Sequence, residues 1–119
     1  MSLTADIATH PSGVIKLVLK GKILSEQDFS SIHELIDQHL KLQHTDFMVD
    51  LEGITYINSS GLNMLLRIFT KVRNKAGELV YINPSEVVNS LLTLSKLNTI
   101  FKICSNEAEA LNILNATKA

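Results

Sequence analysis

The chain has 119 residues, 45% hydrophobic and 19% charged, with two prolines and a formal net charge of -1; this composition predicts one folded domain spanning 1–119 and argues against a disordered tail or a pair of domains. Lysine and arginine form no run that would neutralise a row of phosphates, which argues against nucleic acid as a partner. Apolar runs such as Met64–Leu66 and Ile68–Phe69 stop far short of the ~20 residues that span a bilayer, which argues against an integral membrane protein.

Met1–His10 lacks the basic lead and long apolar stretch of a secretory signal, so a cytoplasmic location is expected. The single Cys104 has no partner for a disulfide or a zinc site and reads as a small buried hydrophobe. Leu3–Ala8 is a weak strand, and His10-Pro11-Ser12-Gly13 supplies turn residues, so a hairpin is predicted. Val14–Leu19 then alternates, with Ile15, Leu17 and Leu19 on the core side. Ser25 and Asp28 have capping-box spacing, and Phe29, Ile32, Leu35, Ile36 and Leu40 follow as the apolar stripe of a helix.

Phe47–Leu51 is a short apolar strand broken by Asp50, and Gly53–Ser60 reads as a polar loop. Leu62, Leu65, Leu66, Phe69 and Val72 mark a second helix, which Gly77 is expected to end in a left-handed cap. Leu79–Ile82 is a strand, and Pro84-Ser85 turns the chain into a third helix with Val87, Val88, Leu91, Leu92 and Leu94. Ile100–Ile103 is the last strand, after which Ser105 or Asn106 caps a helix carrying Ala108, Leu111 and Leu114. Strand and helix in alternation predict an α/β domain with a mostly parallel sheet, one antiparallel N-terminal strand and four helices.

In such a sheet, loops leaving the carboxyl ends of strands meet ligands and partners, and Asn58-Ser59-Ser60-Gly61 occupies that place. By itself, two serines ahead of an apolar stripe put a hydroxyl beside the unbonded amides of a first helical turn, which is capping. The longer segment from Asp50-Leu51 through Asn58-Ser59-Ser60-Gly61-Leu62, followed by Leu65 and Leu66, resembles the signature of the STAS family of bacterial anti-sigma factor antagonists. The usual form there is Asp-Leu, a short linker, and Asp-Ser-Ser-Gly-Leu, and the remaining elements fall in the family's order.

The resemblance implies a docking adaptor and not an enzyme. Proteins of this kind bind an anti-sigma factor that is also a serine kinase and free the sigma factor; phosphorylation ends the interaction and a serine phosphatase restores it. It implies Ser59 as phosphoacceptor, with Asn58, Ser60 and Gly61 in the partner-binding loop and no cofactor or metal. Helical geometry adds the exposed positions Asn63 and Arg67 to that surface. The chain departs from the family where aspartate is usual before the serines: Asn58 keeps the loop-forming and capping chemistry without the charge. The alternative is a constitutive STAS subunit of a transport or sensory complex.

Rival chemistries find less support. Asp50 could be the acceptor of a receiver domain, but Leu19-Lys20-Gly21-Lys22 supplies none of the acids that would hold magnesium. His10, His33, His39 and His44 lack metal-ligand spacing, Ser59 lacks the Gly-x-Ser-x-Gly elbow of a hydrolase, and Gly21-Lys22 belongs to no phosphate-cradling loop. The cluster Leu91, Leu92, Leu94 and Leu97 is more apolar than one buried helix face requires.

Overall fold

The computed structural model describes residues 3–116, so the ends of the predicted 1–119 domain lie outside the described residues. Thr4–Thr9 (β1) and Ile15–Ile23 (β2) pair antiparallel across the Pro11–Gly13 turn, as the hairpin reading expects. Glu26–Lys41 forms α1, whose start is held by the Asp28 carboxylate accepting the Leu24 and Ser25 amides, both at 3.2 Å. Asp46–Ile57 (β3), Ser59–Asn74 (α2), Glu78–Ile82 (β4), Glu86–Ser95 (α3), Lys102–Cys104 (β5) and Glu107–Ala116 (α4) follow. The sheet order is β1-β2-β3-β4-β5, with every pair but the first parallel.

Among the described residues, α1, α2 and α3 cover one face of the sheet and α4 covers the other. Phe29, Ile32 and Ile36 of α1, Leu65, Ile68 and Val72 of α2, and Val88 and Leu92 of α3 pack with Leu17, Val49, Leu79 and Tyr81. Ala110 and Leu114 of α4 close over Val14, Met48, Val80, Ile82 and Cys104 on the opposite face. The central strands are therefore apolar on both sides, as a sheet sandwiched between helices demands. Tyr81 is fully buried and its hydroxyl donates to the Leu65 carbonyl at 2.6 Å, fastening α2 to β4; burial pushes this phenol well above its ordinary pKa of 10.0.

Several boundaries correct the expectations. The segment read as a polar loop, Gly53–Ser60, is mostly strand: β3 runs on to Ile57, paired with the end of β2 through Lys22↔Tyr56 and Ile23↔Ile57. Its Ile-Thr-Tyr-Ile run carries the β-branched and aromatic residues that fit a pleated surface. Asp50 thus sits inside a strand, where its carboxylate accepts the Glu52 amide at 2.9 Å and the Asn83 side-chain amide at 3.4 Å. The last strand begins at Lys102, because Leu97–Thr99 forms a 3-10 turn and leaves Ile100 exposed. In α4 it is Ala110, not Ala108, that joins Leu114 in the core, and Asn106 caps the helix by accepting the Glu109 amide at 2.9 Å. Of the leucine cluster, Leu92 is buried and only Leu94 is strongly exposed, at 80%.

The left-handed residue after α2 is Ala76, with φ 58°, and not Gly77. Gly77 is needed for closeness instead: a Cβ there would fall against the Thr45 carbonyl and Val72. Because an L side chain in the left-handed region costs roughly 1–2 kcal/mol, Ala76→Gly is expected to stabilise the protein by about 0.5–1 kcal/mol after the added freedom of the unfolded chain is subtracted. A rise in the urea midpoint with unchanged slope checks this.

At the end of α1, His39 and His44 stack with ring centroids 5.2 Å apart and Nδ1 atoms at 2.9 Å, one nitrogen donating and the other accepting. Desolvation, and then the neighbouring His44, hold His39 below its ordinary value of 6.5. A depressed value in the folded state means that the unfolded chain binds more protons, so this contribution is present above pH 6.5 and declines as pH falls through the lowered folded value. The urea midpoint is expected to drop between pH 7.5 and 5.5, and His39→Gln is expected to flatten that part of the profile.

Candidate functional site

The end of β3 and the start of α2 meet at one residue, Asn58. Its backbone is extended, with φ -113°, and its side-chain oxygen accepts the Gly61 amide at 2.9 Å, so Asn58 is the N-cap of α2. The same side chain donates through Nδ2 to the Leu24 carbonyl at 3.0 Å, tying the helix start to the segment that leads into α1. This corrects the expectation that a serine hydroxyl does the capping. Asparagine makes both bonds with one amide, whereas aspartate would cap but would set a carboxylate oxygen against the Leu24 carbonyl.

With the cap supplied by Asn58, Ser59 and Ser60 become the first two residues of the helix, and both are exposed. Gly61 is buried directly behind them: a Cβ there would lie 2.7 Å from both the Ile23 carbonyl and Ile23 Cγ2, and 2.8 Å from Ile57 Cγ1. The helix start is pressed onto Ile23 at the end of β2 and Ile57 at the end of β3, while Ser59 stays exposed. Asn58 takes the Gly61 amide, but no acidic residue stands in the first turn, so no carboxylate opposes the positive end of the helix dipole.

Asn63 and Arg67 are exposed on α2, as the spacing predicts. Ser59, Asn63 and Arg67 follow one another at intervals of four and so line one face of the helix. Two residues that sequence reasoning did not place here are Leu24 and Tyr56, 42% and 46% exposed. Leu24 is joined to the cap by the Asn58 bond, and Tyr56 lies two positions before that cap on β3. Strand alternation would set Tyr56 on the same side as the buried Ile54, so the local pattern carried no signal for its exposure.

The arrangement offers a flat polar and apolar edge more than a reaction chamber. Hollows of about 390–640 Å³ lie away from Ser59, and of the residues placed here only Arg67 borders one of them. Among the described residues, no three histidine, cysteine, aspartate or glutamate side chains gather as a metal site. Cys104 is buried, and desolvation followed by nearby Glu109 raises its thiol above the ordinary value. Among the described residues, no helix is long and apolar enough to cross a membrane.

Replacing Asn58 tests the double role. Asn58→Ala is expected to cost about 1 kcal/mol through the lost cap, and Asn58→Asp is expected to restore most of that loss while leaving the Leu24 tether broken. Thermal melts of the two variants beside the parent measure the difference.

This geometry has relatives. An anti-sigma F factor antagonist from Paenibacillus polymyxa is 27% identical over 106 residues, covering 88% of this chain and 90% of that protein. A candidate anti-sigma factor antagonist structure from Thermotoga maritima superposes with TM-score 0.81 at 20% identity, covering 93% of this chain and 94% of that one. SpoIIAA in its unphosphorylated form superposes with TM-score 0.78 at 18% identity over 95% and 97% of the two chains. The phosphorylated Bacillus SpoIIAA does so with TM-score 0.70 at 19% identity over 92% and 97%. The STAS domain pattern matches residues 7–110, and the chain belongs to the STAS domain family.

Proposed function

We propose that the chain is an anti-sigma factor antagonist that works in the cytoplasm by docking and not by catalysis. Unphosphorylated, it binds an anti-sigma factor that is also a serine kinase, and the sigma factor is released. The kinase then phosphorylates Ser59 and ends the contact, and a serine phosphatase resets it. Asn58, Ser60, Gly61, Asn63 and Arg67 form the docking edge around Ser59.

The observation that carries this reading is the exposed Ser59 at the first position of α2, its hydroxyl spared from capping by Asn58. Phosphate at that position meets free amides and the positive helix end, a favourable interaction of roughly 0.3–1 kcal/mol at an exposed site. A relative is named an anti-sigma F factor antagonist, and SpoIIAA is known in phosphorylated and unphosphorylated forms; both support the proposal.

The test is to incubate the protein with ATP and the serine kinases of its host and to locate the phosphate by mass spectrometry. Label on Ser59 supports the switch. Partner binding without any label on Ser59 would instead identify a constitutive binding subunit of a transport or sensory complex.

A further inference from the structure

The segment from Ser59 to Gly77 contains Arg67, Lys71, Arg73 and Lys75 and no aspartate or glutamate, although the whole chain has a net charge of -1. Three of these cations border one trough between α1 and α2. Its upper part, about 640 Å³, is lined by Leu66, Arg67, Thr70, Lys71 and Asn74 with His33 opposite. Its lower part, about 390 Å³, shares Lys71 and Lys75 and adds Leu40, Lys41 and Asp37. Asp37 is the one acid among these lining residues, and it is already taken by Lys71 at 3.1 Å. Lys71 also donates to His33 Nδ1 at 3.1 Å, which fixes it across the trough. Lys41 and Lys75 form no ion pair among the described residues.

We propose that this trough is a docking site for an acidic amphipathic helix of a protein partner. The occupant follows from the two properties of the surface. Leu66 and Leu40 provide an apolar floor recessed between two helices, and a rod-shaped ligand with a row of apolar side chains reaches such a floor. The rim is cationic and incompletely neutralised, so the matching ligand carries carboxylates beside its apolar row. From Arg67 to Lys75 the rim extends about 12 Å, two turns of a helix, enough to meet acids spaced seven or eight residues apart.

Other anionic partners fit less well. A planar lipid surface meets projecting apolar side chains more readily than a recessed floor. The lining has no aromatic ring other than the His33 imidazole on which a nucleic-acid base could stack. The trough begins about 12 Å along α2 from Ser59 and shares only Arg67 with the docking edge proposed above.

The probe is a fluorescein-labelled peptide of about 18 residues with leucine at i, i+3, i+4 and i+7 and glutamate beside it, together with the same peptide carrying lysine for glutamate and vesicles of phosphatidylserine and phosphatidylcholine. The acidic peptide is expected to bind the full chain and the basic one not. Amide chemical shifts of the unmodified protein are expected to move at Leu66, Thr70, Lys71 and Asn74, a readout that needs no variant. Lys41→Glu with Lys75→Glu is expected to weaken binding about tenfold or more, whereas Lys20→Glu, the same reversal on the opposite sheet face, leaves it unchanged. Circular dichroism confirms that the variants fold. The proposal is overturned if the acidic peptide does not bind, if the basic one binds equally, if the shifts cluster outside the trough, if the double reversal has no effect, or if only the vesicles bind.

Discussion

Gly61→Ala is expected to lower stability by about 2–3 kcal/mol, a fall of roughly 8–15 °C in melting temperature for a domain of this size. Helix propensity by itself predicts the opposite sign, since alanine is favoured over glycine by about 0.8–1 kcal/mol in a helix interior. The clash decides the outcome. The new methyl would sit 2.7 Å from the Ile23 carbonyl and 2.8 Å from Ile57 Cγ1, and the carbonyl, unlike a flexible side-chain tip, belongs to the backbone at the end of β2. The start of α2 has to lift from the sheet, and Asn58 and Ser59 move with it. Partner binding is therefore expected to fall together with stability. A melting temperature at or above that of the parent would show that the helix start is not pressed onto β2 and β3 as described.

Phosphorylation of Ser59 is expected to weaken binding of the anti-sigma factor kinase several hundredfold while leaving the fold intact. The phosphate adds about -1.5 to -2 charge at neutral pH. Its own helix accommodates that charge through free amides and the dipole, but burying it against a partner surface without a matching cation costs about 3–4 kcal/mol, which corresponds to the stated loss. Ser59→Ala is expected to bind like the parent, and Ser59→Asp to lose about tenfold or more while melting within about 1 kcal/mol of it. Titration calorimetry or a pull-down with the partner separates the two. Equal binding by the alanine and aspartate variants would remove charge from the explanation. A partly unfolded aspartate variant would contradict the exposed placement of the hydroxyl.

The elements with strong periodic patterns were legible before any coordinates. The alternation of Ile15, Leu17 and Leu19 and the stripe Phe29, Ile32, Ile36 and Leu40 appear as a strand and a helix with those residues buried. The antiparallel first pair followed by parallel strands is likewise as read from the chain order. Boundaries were less legible where pairing overrides local composition. Gly53 and Asn58 suggest a loop, yet the intervening run is held as strand by the extended end of β2, with Gly53 close against the Lys20 side chain. A segment with few turn residues of its own takes its conformation from the neighbour it pairs with, and that neighbour is distant in sequence.

What the sequence determined by itself is the order of strands and helices, the apolar face of each, and the short run Asn58-Ser59-Ser60-Gly61 on which the family resemblance rests. These follow from periodicities of two and 3.6 and from turn chemistry, all of which act between near neighbours in the chain. Only the tertiary structure decided that Asn58 and not a serine caps α2, that Leu24 is tied to that cap and Tyr56 is exposed just before it, and that Arg67, Lys71 and Lys75 border a trough with Leu40 and Lys41. Each of these depends on contacts between residues that are separated along the chain, and such contacts exist only once the sheet has set the helices side by side.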